Sequence, residues 1–303
     1  MKIKIATRVS PLALLQTHQV IDLIKSLEGN YECEIVPIQS EGDLNDSPLH
    51  LIGGKGLFVS KLEAALANQD ADIAVHSLKD VPAILAPEFK IAATLPREDY
   101  LDVILLREGL VYADLKSGHR IGTSGPRRKS QLLALNPDLS IVPIRGNIQT
   151  RINKIMSENL DGLIVAKAAL NRLQIQHPNL HVFSESEMLP AASQGAIGIE
   201  ICNTNVQPGI LEILSNINCQ ETFRATRIER EIVAALGGSC LSPISALGTI
   251  ANQKLYLQVR VSNQDGSNTI EKECVFSIVD EERAFKKFKG ELVKSGAKEL
   301  IQS

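Results

Sequence analysis

The sequence predicts an α/β protein that ends in a separate α+β domain. Three observations carry this reading. Strand-length apolar runs alternate with helix-period stretches over most of the chain, the pattern changes at Gln220, and an Asp265-Gly266 pair separates two alternating runs near the C-terminus. With 303 residues, 44% of them hydrophobic, the chain is long enough for two or three domains with cores of their own.

The elements follow in order. Lys2 to Ala6 alternates as a strand, and Ser10 and Pro11 then open a helix with Ala13, Val20, Ile24 and Leu27 at helical spacing. Tyr31 to Ile38 reads as a second strand. The long stretch from Glu41 to Gly56, with four glycines, reads as a lid loop. A helix is expected from Leu57 to Leu66, and then a strand from Asp72 to Val75. After Pro96 come strands at Val103 to Leu106, Arg120 to Gly122, Ser140 to Ile144 and Gly162 to Ala166, separated by helices. From Gln220 a helix reaches Leu236; alternating Leu255, Leu257, Val259 and Val261, the Asp265-Gly266 turn, a second strand and a final helix complete the chain.

Composition narrows the function. The 32 Lys+Arg residues against 35 Asp+Glu give a charge of −3, and with no Trp and 4% aromatics this argues against nucleic-acid binding. No apolar run approaches the roughly 20 residues of a membrane span, and Met1 to Thr7 enters a strand without the pattern of a secretion signal. Cys33, Cys202, Cys219, Cys240 and Cys274 form no Cys-x-x-Cys pair, which fits a reducing cytoplasm. His177 and His181 are four apart, but Pro178 spoils a shared helical face, so no metal site is expected.

Several segments carry more chemistry than a fold requires. Gly122 to Arg128 follows a strand and opens a helix, placing Arg127 and Arg128 where a helix dipole disfavours cations. A solvated surface pair would account for them; so would an anion site built from first-turn N–H groups and two guanidinium forks. Arg145 stands at the next strand end, Arg151 lies on the following helix, and Arg172 follows the strand after that. Ligands of open α/β sheets gather at the carboxyl ends of the strands, and so many arginines there suit a polyanion. Lys79 and Asp80 follow another strand, and Asp80 suits acid–base or cation-stabilising chemistry. Gly53-Gly54-Lys55-Gly56 fits neither nucleotide motif, and Gly122 to Gly125 lacks the spacing of a serine-hydrolase elbow. Cys240, in Gly237-Gly238-Ser239-Cys240, is the cysteine in a clear loop, a candidate nucleophile or attachment site; Cys33, Cys202 and Cys274 sit in apolar strand patterns.

Together these segments resemble the hydroxymethylbilane synthase (porphobilinogen deaminase) family. The resemblance rests on Ala6 to Leu14, Gly53 to Phe58, His76 to Pro82, Arg97-Glu98-Asp99, Gly122 to Arg128, Arg145-Gly146-Asn147, Leu189-Pro190-Ala191, Gln194-Gly195-Ala196 and Glu229-Arg230 with Cys240 to Pro243. It implies two periplasmic-binding-protein-like lobes plus the C-terminal α+β domain: lobe 1 over 1–95 and 193–215, lobe 2 over 96–192, and the C-terminal domain over 216–303. It implies head-to-tail condensation of four porphobilinogen molecules with loss of ammonia, then hydrolytic release of the linear tetrapyrrole, as part of porphyrin and haem biosynthesis. The primer is a dipyrromethane joined by a thioether to Cys240. By motif position, Asp80 is catalytic; Arg8, Ser10, Lys79, Ser124, Arg127, Arg128, Arg145, Arg151 and Arg172 bind cofactor or substrate carboxylates; Lys55 and Phe58 belong to the lid. A cytoplasmic monomer is the expectation. The chain departs from the family's usual residues at Gly125, Ser193, Ser239 and Ser242, where serine, glycine, glycine, and valine or threonine are common. A non-catalytic bilobal binding protein for a carboxylated small molecule is the competing reading.

Overall fold

A computed structural model describes residues 1–39 and 59–302 of the protein. The lid residues Lys55 and Phe58, with the glycines of their loop, lie outside the described residues. Chain contacts define two compact units, 1–98 with 195–224 and 99–194 with 225–303.

Along the chain, β1 (Lys2–Arg8) leads to α1 (Pro11–Ser26), β2 (Glu32–Ile38), α2 (Ser60–Ala67), β3 (Ile73–Ser77) and β4 (Phe89–Thr94). After the first crossing come β5 (Asp102–Leu106), β6 (Arg120–Gly122), α3 (Pro126–Leu135), β7 (Ser140–Val142), α4 (Ile148–Ser157), β8 (Gly162–Ala166), α5 (Lys167–Leu173) and β9 (Leu180–Val182). The return brings β10 (Ile197–Cys202) and α6 (Ile210–Ile217). Then follow α7 (Gln220–Ala235), β11 (Ile244–Ala251), β12 (Lys254–Ser262), β13 (Thr269–Ser277), α8 (Glu281–Lys294) and α9 (Ala297–Leu300).

The first unit holds a five-stranded sheet in the order β2-β1-β3-β10-β4, and the second a five-stranded sheet in the order β7-β6-β8-β5-β9. In each, the first three strands are parallel and the fourth is antiparallel to both neighbours. Two sheets of one design thus arise without an internal sequence repeat. In both, the antiparallel strand adjoins a crossing: β10 just after the return, β5 just after the outward passage. A third sheet, β11-β12-β13, is antiparallel and carries α8 and α9, the α+β portion anticipated from the Asp265-Gly266 signal.

Local chemistry explains several boundaries. The Ser10 hydroxyl caps α1 by accepting the Ala13 N–H at 3.3 Å, with Pro11 at the first helical position. The buried face of α1, including Val20, Ile21 and Ile24, packs on Ile3, Ile5 and Ile73 of its sheet. β7 stops at Val142, short of the expected Ile144, because Pro143 has no N–H to give a ladder. Gly266 (φ 75°) lies so close to α3 that any side chain would run into the Ser130 carbonyl.

Other departures have physical causes. Between β5 and β6 there is a 3-10 turn, Tyr112–Asp114, in place of the expected helix. β11 did not register as a strand because Ile244 to Gly248 is buried on both faces, which erases the alternation of a half-exposed strand. β10, buried throughout, hides in the same way.

Candidate active site

In the first unit, β1 and β3 are parallel neighbours, with Ala6 opposite Ala74, so Arg8 and the residues after β3 leave the same end of the sheet. A 3-10 turn, Leu78–Asp80, follows β3 directly. Its Leu78 side chain is buried with Val59, Val81 and Ala196, and its N–H donates to the Ala196 carbonyl at 3.0 Å. That plug leaves Lys79 half-buried and Asp80 exposed. Gly198 makes room for it, since a Cβ there would stand 2.7 Å from Leu78 Cδ1. Upstream, His76 Nε2 meets Glu200 Oε2 at 2.8 Å in a buried pair, and Ser77 Oγ donates to Gln16 Oε1 at 2.9 Å. The Asp80 turn therefore grows from a strand end fixed on both flanks. Burial, reinforced by the charge on Glu200, raises the nearby Glu63 carboxyl above its ordinary range, with His76 opposing.

In the second unit, β6, β7 and β8 are parallel, and Ser124, Arg145 and the start of α5 leave one end of that sheet. The Ser124 hydroxyl donates to the Ile144 carbonyl at 2.6 Å and accepts the Ile144 N–H at 2.8 Å, which ties the loop after β6 to the loop that carries Arg145. Asn147 caps α4 by accepting the Thr150 N–H at 2.9 Å, and Arg151 Nε donates to the Gly146 carbonyl at 2.7 Å. Arg145, Arg151 and Arg172 are all half-buried.

Arg127 and Arg128 are not a solvated pair. Both turn onto Asp102, which is fully buried: Arg127 reaches Oδ2 at 2.8 Å, and Arg128 grips Oδ1 through Nε at 2.9 Å and a second nitrogen at 2.6 Å. Gln194 Nε2 adds a contact to Oδ1 at 3.1 Å. Arg127 also donates to the Leu189 carbonyl at 2.9 Å, and Arg128 to that of Ile164 at 3.2 Å. Burial pulls the Arg127 guanidinium below its ordinary value while Asp102 opposes the shift. Two guanidinium groups share one carboxylate at a helix N-terminus, an arrangement suited to anions.

Cys240 lies in the loop between α7 and β11, is exposed, and is not in a disulfide. Cys202 is buried in β10, and burial in β13 pushes the Cys274 thiol up to about 12. His181 stacks on Tyr112 with ring centroids 4.0 Å apart, a packing role.

Three residues escaped the sequence reading as participants. Asp102 directly precedes the apolar run Val103 to Leu106, and a carboxylate buried there requires partners for its charge. Gln194 stood in a quoted motif without an assigned task. Glu229, fully buried, accepts the Ser193 N–H at 2.6 Å and the Gly248 N–H at 2.7 Å.

An acidic turn follows a parallel strand of one mixed sheet, guanidinium groups follow parallel strands of another, and an exposed thiol lies in a loop of this α/β protein. The comparisons with known proteins are specific. Residues 3–207 match the family model described as porphobilinogen deaminase, dipyromethane cofactor binding domain, and residues 223–301 match that of the porphobilinogen deaminase C-terminal domain. Porphobilinogen deaminase of Alkaliphilus metalliredigens is 38% identical over 302 residues, 99% of this chain and 95% of the relative. That of Lawsonia intracellularis is 41% identical over 284 residues, 92% of this chain and 90% of the relative. Among solved structures, the methionine binding protein MetQ is similar at a TM-score of 0.45 and 10% identity, covering 74% of this chain and 92% of that one. The chain belongs to the porphobilinogen deaminase family, a family of transferases.

Proposed function

We propose that the protein is a hydroxymethylbilane synthase that condenses four porphobilinogen molecules head to tail on a dipyrromethane primer and releases the linear product by hydrolysis. The observation that carries this is the family match over nearly the whole chain, with an acidic turn and an exposed thiol at the motif positions. The residues suit a dipyrromethane: Cys240 offers an accessible thiol, and the guanidinium groups of Arg127 and Arg128 already hold one carboxylate, that of Asp102. When bound, that group supplies the growing end for chain extension.

Asp80 is the proposed catalytic carboxylate. Exposed at the end of a fixed turn, it stabilises the cation created when the substrate amine departs, and it accepts the pyrrole proton released in the coupling. Arg8, Ser10, Lys79, Ser124, Arg127, Arg128, Arg145, Arg151 and Arg172 hold acetate and propionate groups in this reading. Their assignment is supported by strand ends that put each set at one end of its own sheet. For Arg127 and Arg128 to engage a ligand carboxylate, it must compete with Asp102 or share their remaining donors. Lys55 and Phe58 keep their lid assignment as part of the proposal.

The proposed domains are lobe 1 (1–95 and 193–215), lobe 2 (96–192) and a C-terminal domain (216–303), supported by the three sheets and by the separate C-terminal family match. A cytoplasmic monomer, without nucleic-acid or membrane partners, completes the reading; among the described residues no helix is long and apolar enough to cross a membrane.

Intact mass tests the reading first. Wild-type protein, or cofactor-free protein incubated with porphobilinogen, gains a dipyrromethane-sized adduct, and Cys240→Ala does not. Asp80→Ala keeps the fold and loses turnover. No adduct and no ammonia release from porphobilinogen would favour a non-catalytic binding protein instead.

A further inference from the structure

We infer that Ser239 and Ser242 are positioning residues that set the Cys240 thiol for thioether formation; this rests on the proposal that Cys240 is the attachment point. Residues 236–243 reverse the chain between α7 and β11. Gly237 adopts φ 68°, and a Cβ on Gly238 would have to displace the end of the Ile244 side chain. The reversal is then closed by a reciprocal clasp. The Ser239 N–H donates to Ser242 Oγ at 3.1 Å, and the Ser242 N–H returns to the Ser239 carbonyl at 3.0 Å. The Leu241 N–H donates to Ser239 Oγ at 3.2 Å, and the Ile244 N–H to the Ser242 carbonyl at 2.8 Å.

Cys240 is the residue enclosed by this clasp, with its side chain exposed at the apex. Hydrogen bonds fix the backbone on either side of it, so the Cα–Cβ vector has one direction relative to β11 rather than the spread of a free glycine-rich loop. Such pre-orientation raises the rate of a bond-forming step without any contact to the incoming group. The step itself is a substitution. The Cys240 sulfur attacks the aminomethyl carbon of porphobilinogen, the C–S bond forms, the C–N bond breaks with its electron pair going to nitrogen, and the thiol proton leaves on the released ammonia. No oxidant or reductant is needed.

The test uses full-length protein produced in cells that make no porphobilinogen, then mixed with porphobilinogen and followed by time-resolved intact mass. Ser242→Val removes the hydroxyl but keeps the shape of Ser242→Thr, which retains it; Ser239→Ala is an independent removal should the valine variant fail to fold. The hydroxyl-free variants are expected to gain the adduct about 5- to 10-fold more slowly, on the order of one net hydrogen bond. The loss falls in the limiting rate with the half-saturating porphobilinogen concentration unchanged, and Ser242→Thr loads at the wild-type rate. Wild-type loading by Ser242→Val and Ser239→Ala, or equal slowing of Ser242→Thr, overturns the inference while attachment stands. A wild-type chain that never gains the adduct, or a Cys240→Ala chain that does, overturns the attachment reading itself.

Discussion

Replacing Ser193 with glycine should stabilise the protein, and the gain can be worked from three local terms. Ser193 has φ 63°, in the left-handed region, which costs a side-chain-bearing residue about 1–2 kcal/mol. Its hydroxyl is buried and has no hydrogen-bond partner among the described residues, a burden of about 1–3 kcal/mol. Against these stand the backbone entropy of glycine, about 0.5–1 kcal/mol, and a small void worth under about 1 kcal/mol. The Ser193 N–H still reaches Glu229 in the variant, because that bond is made by the backbone. The balance is a gain centred on about 2 kcal/mol, which raises the unfolding midpoint of a large domain by about 2–4 °C per kcal/mol. Ser193→Ala removes the hydroxyl and keeps the positive φ, so it should recover only part of the gain. Thermal and urea unfolding of the three proteins, all cofactor-free, supply the comparison. A glycine variant no more stable than wild type, or an alanine variant that matches it, would show that the backbone is not strained here.

Other expectations follow from the same geometry. Asp102→Asn should cost about 3–5 kcal/mol in urea unfolding, because it leaves the buried Arg127 and half-buried Arg128 guanidinium groups without their carboxylate; a loss below about 1 kcal/mol would refute that role. The Cys274 thiol, raised from 9.0 to about 12, is favoured neutral by folding, so the stability it contributes is intact below pH 9 and is lost as pH rises toward 12. Wild-type protein should therefore weaken more between pH 8.5 and 10.5 than Cys274→Val, a difference readable as a shift in urea midpoint at about these two pH values. Gly198→Ala should cost about 1–3 kcal/mol by crowding Leu78 and should lower turnover through the displaced Asp80 turn; unchanged kinetics would separate the plug from the chemistry.

Much of this architecture was legible because its signals are local. Ser10 and Pro11 announce α1, and both act as a helix start requires. Leu255, Leu257, Val259 and Val261 alternate because β12 has one buried face, and all four point inward. β10 and β11 left no such trace, since a strand buried on both sides has no period to read. The candidate site divides along the same line. Asp80, Cys240 and the arginines could be nominated because each follows a strand or helix end of recognisable grammar. Their buried counterparts could not: Asp102 meets Arg127 and Arg128 across 25 or more positions of chain, and Glu229 meets Ser193 across 36. No spacing rule reaches so far.

Glu229 ties two contacts distant in sequence into one event. A single carboxylate, fully buried, takes an N–H from Ser193 with one oxygen and an N–H from Gly248 with the other. It belongs to α7, the helix whose end launches the Cys240 loop. Freeing the antiparallel sheet from this grip would take the Gly248 N–H from a buried carboxylate at a cost of about 1–3 kcal/mol, so the sheet gains little by opening alone. Amide exchange in β11 and at Ser193 should therefore follow one shared opening reaction rather than two. A fragment cut out around β11 to β13 alone would carry its strands without the carboxylate that holds them, and the C-terminal fold is better regarded as a dependent of the helix that precedes it.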